Sequence, residues 1–116
     1  MPQVVLKGKT SIEEIFSQLK PVFQRNGVTI LKTKEVYLEK AKKDILIDVL
    51  AIVGDHKTAF LALISGREDG VVVRLYPNMA IEKTDGVKRV LVELAKQIMM
   101  LFPKFTVGET NLSEYF

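Results

Sequence analysis

A chain of 116 residues, 47% of them hydrophobic and with a net charge of +3, is long enough to bury one core of its own, roughly two-thirds of the surface it exposes when unfolded. Its composition excludes a disordered chain, and the lack of cysteine excludes a disulfide scaffold, a thiolate nucleophile and a zinc–thiolate site. Asp48 and Gly54 interrupt the longest apolar run, which predicts no membrane span. With no cysteine and no leader-like apolar start, the expected setting is cytoplasmic.

In chain order, Gln3 to Lys7 reads as a short strand built on Val4, Val5 and Leu6 and stopped by Gly8. Thr10 and Ser11 stand three residues ahead of Glu13 and Glu14, the spacing of a capping box, so a helix begins there. Ile12, Ile15, Phe16, Leu19, Val22 and Phe23 form a one-sided apolar stripe. Pro21 lies inside that stripe and predicts a kink, or two short helices meeting at it. Asn26-Gly27 reads as the stop of this helical region. Val28 to Leu31 is apolar and β-branched and predicts a strand. In the stretch Lys34 to Lys43, Val36 and Leu38 alternate with Tyr37 and Glu39 as a strand would, while Glu39 and Lys43 stand at helical spacing; the strand is the favoured reading.

Ile45 to Tyr76 is the centre of the sequence. It reads as three strands joined by turns at GDHK and GREDG. Ile45, Ile47, Val49, Ala51 and Val53 alternate with Leu46, Asp48, Leu50 and Ile52, so the first of these strands is apolar on both faces. That pattern predicts cover on both faces of the sheet. Pro77-Asn78 closes the sheet region, and Thr84-Asp85 caps a second helix with Val87, Val90, Leu91, Leu94, Ala95 and Ile98 on one face. Lys88, Arg89, Glu93 and Gln97 stand opposite, and the helix ends before Pro103. Its last turn, Met99, Met100, Leu101 and Phe102, is apolar nearly all round and needs a cover. The candidates are the tail (Phe105, Leu112, Tyr115, Phe116), a second subunit or a ligand. These four residues are therefore the expected ligand- or partner-binding site, and a homodimer is the expected assembly. The fold class predicted is α+β: one domain over residues 1–116, with a mainly antiparallel five- to six-stranded sheet packed by two amphipathic helices in the order β-α-β-β-β-β-β-α.

Motifs of chemistry are few. His56 is the only histidine and falls in a turn, so a His-paired metal site cannot be assembled. Gly66 and Gly70 flank a turn with no helix after it, which is not a phosphate-binding loop. No catalytic residue, cofactor motif or metal set stands out. Lys32, Lys34, Lys40, Lys42 and Lys43 make a basic run that would suit phosphates, and a solvated edge hairpin accounts for the same residues.

Two resemblances extend this reading. A strand leading into TSIEEIFSQLKPVF, an antiparallel meander and one long amphipathic helix are together similar to the helix-grip, or START-like, domains. That resemblance implies a last helix gripping a curved sheet, with an apolar ligand between them. The passage from the first helix through RNGVTILKT to ILIDVLAIVGDHKTAFLALIS resembles the core of restriction-endonuclease-like nucleases, which implies a metal-binding role for Asp48. Those families continue with Glu-x-Lys on the next strand, where this chain has Leu61 and Leu63. The resemblance therefore implies a catalytically degenerate relative. The reading favoured is a non-enzymatic binding or assembly domain, for a small apolar ligand or a protein partner. The alternative is a degenerate nuclease-like or other basic nucleic-acid-binding module.

Overall fold

A computed structural model describes residues 2–77 and 81–116. Its elements are β1 (Gln3–Lys7), α1 (Ile12–Gln18), β2 (Phe23–Asn26), β3 (Thr29–Leu38), β4 (Asp44–Val53), β5 (His56–Arg67), β6 (Gly70–Leu75), α2 (Asp85–Leu101) and β7 (Thr106–Thr110), followed by a single 3-10 turn, Ser113–Tyr115. The class is α+β, and all seven strands join one sheet in the order β2-β3-β4-β5-β6-β1-β7. Every neighbouring pair is antiparallel.

The strand count departs from the expected five or six for three local reasons. The runs at 28–31 and 34–38 are one strand, β3, carried through an irregularity between Thr33 and Val36. The second half of the predicted helical stripe is instead β2, and the tail contributes β7. Ser11 caps α1 as its spacing predicts, accepting a hydrogen bond from the Glu14 N–H at 3.1 Å while Thr10 Oγ1 donates to Glu14 at 2.8 Å. The helix then ends at Gln18, ahead of Pro21, and Leu19 is already extended. Proline disfavours helical geometry in the residue before it. Beyond it, Val22 hydrogen-bonds with Thr33 through both its N–H and its carbonyl. There is no second short helix, and Asn26-Gly27 opens a hairpin, with Asn26 paired to Thr29, instead of stopping a helix.

The central meander matches its prediction closely. Tight two-residue turns follow Val53 and Arg67. The first needs Gly54, whose φ of +61° is left-handed and costs a side-chain-bearing residue more. The predicted turn residue Asn78 lies outside the described residues. α2 begins at Thr84, whose side chain accepts from the Val87 N–H at 3.3 Å, and runs to Leu101 as the apolar spacing predicts.

The core lies between α2, α1 and one face of the sheet. Ile45, Ile47, Val49 and Ala51 of β4 meet Val87, Val90, Leu91, Leu94 and Ile98 of α2, all buried. Each buried Val, Leu or Ile among them contributes roughly 1.5–3 kcal/mol through burial. Ile12 of α1 packs at Gly66, and Gly86 of α2 packs at Ala51 and Val53, so the two helices share this face. Polar groups of α2 also hold the chain around β2. Glu93 accepts from Gln24 at 2.8 Å, and Gln97 pairs with both the N–H and the carbonyl of Lys20.

Candidate functional site

The strand alternation that fills the core places a second set of side chains on the opposite face. Register identifies its rows. Ile30, Ile52 and Lys57 make one row, and Lys32, Leu50 and Ala59 the next. Asp48 and Leu61 form a third, and Tyr37, Leu46, Leu63 and Arg74 a fourth. Phe23 pairs with Lys32 and Arg25 with Ile30, so β2 extends the first two rows.

This arrangement corrects one expectation. The meander is apolar on both faces, yet among the described residues both helices cover the same one. Leu46, Leu50, Ile52 and Leu61 stay half-buried, and Leu63, paired with Leu46 on the same face, is 6% exposed. Phe23 and Tyr37 are 64% and 52% exposed. An antiparallel sheet with one solvated face ordinarily alternates apolar inward with polar outward. Here leucine and isoleucine occupy positions that a threonine or lysine would fill without loss to the core.

Acidic and basic groups are interleaved on this face, with Lys32 diagonal to Asp48 across the β3–β4 pair. Arg25, Lys32 and Lys57 lie on the half near the Gly54 turn. Asp48, Asp44 and Glu39 lie on the half near the Lys40–Lys43 turn, with Arg74 on β6 at the margin. Glu39 and Asp44 join Leu46, Leu63, Tyr76 and Pro77 around a cleft of about 290 Å³. Asp48 faces Leu61 directly across the β4–β5 pair. Among the described residues, no three His, Cys, Asp or Glu side chains converge on a point that would hold a metal ion.

The residues singled out at the end of α2 separate. Met99 packs against the core, while Met100 is 79% exposed. Leu101 and Phe102 join Lys9, Pro103, Lys104 and Phe105 around a cleft of about 220 Å³. The tail supplies much of the expected cover. Phe105 is buried and stands edge-on to Phe102, ring centres 6.2 Å apart at 88°.

The five lysines are all exposed but do not form one patch. Lys40, Lys42 and Lys43 share the β3–β4 turn, where Glu39 accepts from the Ala41 and Lys43 N–H groups and Lys42 pairs with Glu13 at 3.6 Å. Lys32 stands opposite Leu50, six positions along β4 from the start of that strand, about 20 Å away. Lys34 lies at the β3 irregularity. His56 meets Glu82 at 3.3 Å.

No family model matches this chain, and searches of curated proteins and of solved structures return no significant match.

Proposed function

We propose that this domain works by binding, not by catalysis, and that it docks a partner through the uncovered face of its sheet. The observation that carries this reading is the band of half-buried Leu46, Leu50, Ile52 and Leu61 on a face whose opposite side already holds both helices. Folding does not need these side chains to be apolar. Covering them gains about 25 cal/mol for each Å² removed from water, and a contiguous exposed apolar band usually marks a contact surface. A small apolar ligand of the helix-grip kind suits the surface clefts better than the interior, where Ile47, Leu91, Leu94 and Ile98 fill the space between helix and sheet.

An apolar fluorescent dye such as anilinonaphthalene sulfonate tests the reading at low micromolar protein. The native chain is expected to enhance dye emission, Leu50→Glu to reduce that enhancement several-fold, and Met100→Glu to leave it unchanged. Circular dichroism checks that both variants are folded. Equal emission from all three proteins would remove the sheet face as the binding surface, and a loss confined to Met100→Glu would move the site to the end of α2.

The nucleic-acid reading rests on the exposure of the five lysines. It predicts retention on DNA or RNA that falls steeply with salt, and that Lys40→Ala with Lys43→Ala flattens the slope.

A further inference from the structure

We propose that the cleft between α2 and the end of the β2–β3 hairpin binds a small carboxylic acid, with Arg89 holding its carboxylate. The site is separate from the docking face and does not rest on that reading. Gln24 pairs with Leu31, whose side chain belongs to the core on the side of the sheet that carries the helices.

The hairpin supplies one wall. Gln24 pairs with Leu31 and Asn26 with Thr29, so strand alternation puts all four side chains on the helix side. α2 supplies the other wall. Its Glu93 accepts from Gln24 at 2.8 Å, which ties the helix to the hairpin. One turn earlier on the helix, Arg89 joins Gln24, Asn26, Thr29 and Leu31 around a cleft of about 180 Å³. Leu31 is 3% exposed and contributes the apolar part of the lining.

Arg89 has no counter-ion on its own helix. Asp85 stands four residues before it and Glu93 four residues after, the spacing from which a helical acid ordinarily takes an arginine. Both acids are engaged elsewhere. Asp85 accepts the Tyr115 hydroxyl at 2.6 Å, and Glu93 is held by Gln24 and, at 3.7 Å, by Lys96. The guanidinium lies instead over the Tyr115 ring, 5.3 Å from its centre. A ring face holds a flat cation in place and leaves the N–H groups at its edge free. Among the described residues, the side chains of Arg89, Asn26 and Thr29 make no hydrogen bond or ion pair.

These donors fit a carboxylate. A guanidinium presents paired N–H groups at the spacing of two carboxylate oxygens. The Asn26 amide and the Thr29 hydroxyl add donors on the facing wall. Asp85 and Glu93 flank Arg89, so a doubly charged phosphate meets more repulsion there than a singly charged carboxylate. Leu31 offers contact to a hydrocarbon body, which inorganic phosphate lacks. At about 30 Å³ for each water of the liquid, the cleft has the volume of about six waters. That suits a small acid and falls below the pockets of drug-sized ligands.

Proton–nitrogen correlation NMR of the full chain, titrated with sodium benzoate, tests this. Uncharged benzamide and sodium phosphate are the comparators, at matched ionic strength. Benzoate should give saturable shifts at the Asn26 and Thr29 amides and the Arg89 Nε–H, with a Kd of about 1 mM. Benzamide and phosphate should each bind about tenfold more weakly or worse. Arg89→Ala should abolish saturation. Arg89→Lys keeps the charge and loses the paired N–H groups, and should weaken binding about tenfold. Arg89 is exposed, so both variants should keep the native spectrum away from the cleft. Thr29→Val, on the facing wall, should weaken binding several-fold. Shifts that stay linear with benzoate into the tens of millimolar overturn the inference, as does saturation undiminished in Arg89→Ala. Phosphate binding as tight as benzoate overturns the choice of a carboxylate, and benzamide binding as tight overturns the role of charge.

Discussion

Thr33 shows how much a single buried hydroxyl holds. It is 5% exposed, its Oγ1 accepts from the Val22 N–H at 2.8 Å, and its own N–H donates to the Val22 carbonyl at 2.9 Å. Thr33→Val keeps the shape and removes the acceptor, so the Val22 N–H loses its partner. The expected loss is about 1–2 kcal/mol, read from the denaturation midpoint at unchanged slope. Ser65 is the reverse case. Its Oγ is buried without a hydrogen-bond partner, and Ser65→Ala should be neutral or stabilise by up to about 1 kcal/mol. Gly70 tolerates no side chain, because a Cβ there would lie 1.9 Å from the Leu6 carbonyl oxygen; Gly70→Ala should cost about 3 kcal/mol or prevent folding. At Tyr115, the 2.6 Å hydrogen bond to the Asp85 carboxylate raises the hydroxyl above the usual phenol value of 10.0. A folded-state value raised in this way favours the protonated hydroxyl. The contact is therefore fully present below the ordinary phenol value and is lost as pH rises through the raised one. Thermal melts should show the native chain losing stability relative to Tyr115→Phe only in that alkaline range.

At the scale of elements, legibility followed the length of the pattern. α2 could be read because seventeen residues repeat one apolar spacing between a threonine cap and Pro103. β4, β5 and β6 could be read because tight turns separate long β-rich runs. β2 could not, since four exposed residues, Phe23–Asn26, carry no pattern of their own. Their strand is set by pairing with β3 and by the Gln24 contact with α2. Val22 and Phe23 fell on the helical stripe by spacing, and tertiary pairing overrode it. Pro21→Ala should accordingly leave the far-ultraviolet helix signal unchanged, because the bonds at Lys20 and Val22 still hold the chain extended. A clear gain in ellipticity would show that the proline alone stops α1. β7 was equally hard to see: Thr106–Thr110 is short and mostly exposed, and becomes a strand by pairing with β1.

For the whole molecule, the sequence showed the material of the proposed docking face but not where the helices would lie. Two apolar faces on β4 were evident from alternation. Which one the helices would take, and that the other would lack a helix, depends on where the chain turns after Gln18 and after β6. The first of those turns is held by Gln97 on Lys20 and by Thr33 on Val22. Met99 to Phe102 drew notice as a contiguous apolar run, but the fold spends Met99 and Phe102 on the core and on Phe105 and leaves Met100 outside. The tail closes the structure from the other end. Leu112 is 2% exposed, and Leu112→Ala should lower stability by about 2–4 kcal/mol in thermal or chemical unfolding.

The position of β1 in the sheet has a consequence for how the chain is made. β1 precedes the other six strands in the chain, yet its neighbours are β6 and β7, so Gln3 pairs with Arg74 and Val4 with Thr110. Val4, Val5 and Leu6 cannot pair with β6 until Leu75 has been made, nor with β7 until Thr110 has. Contacts this distant in sequence slow folding and lengthen the interval in which an apolar strand lies open to other nascent chains. A ribosome stalled before Thr106 would hold β2 to β6 with the first strand supported on one edge at most, and the domain is completed only when synthesis passes Thr110.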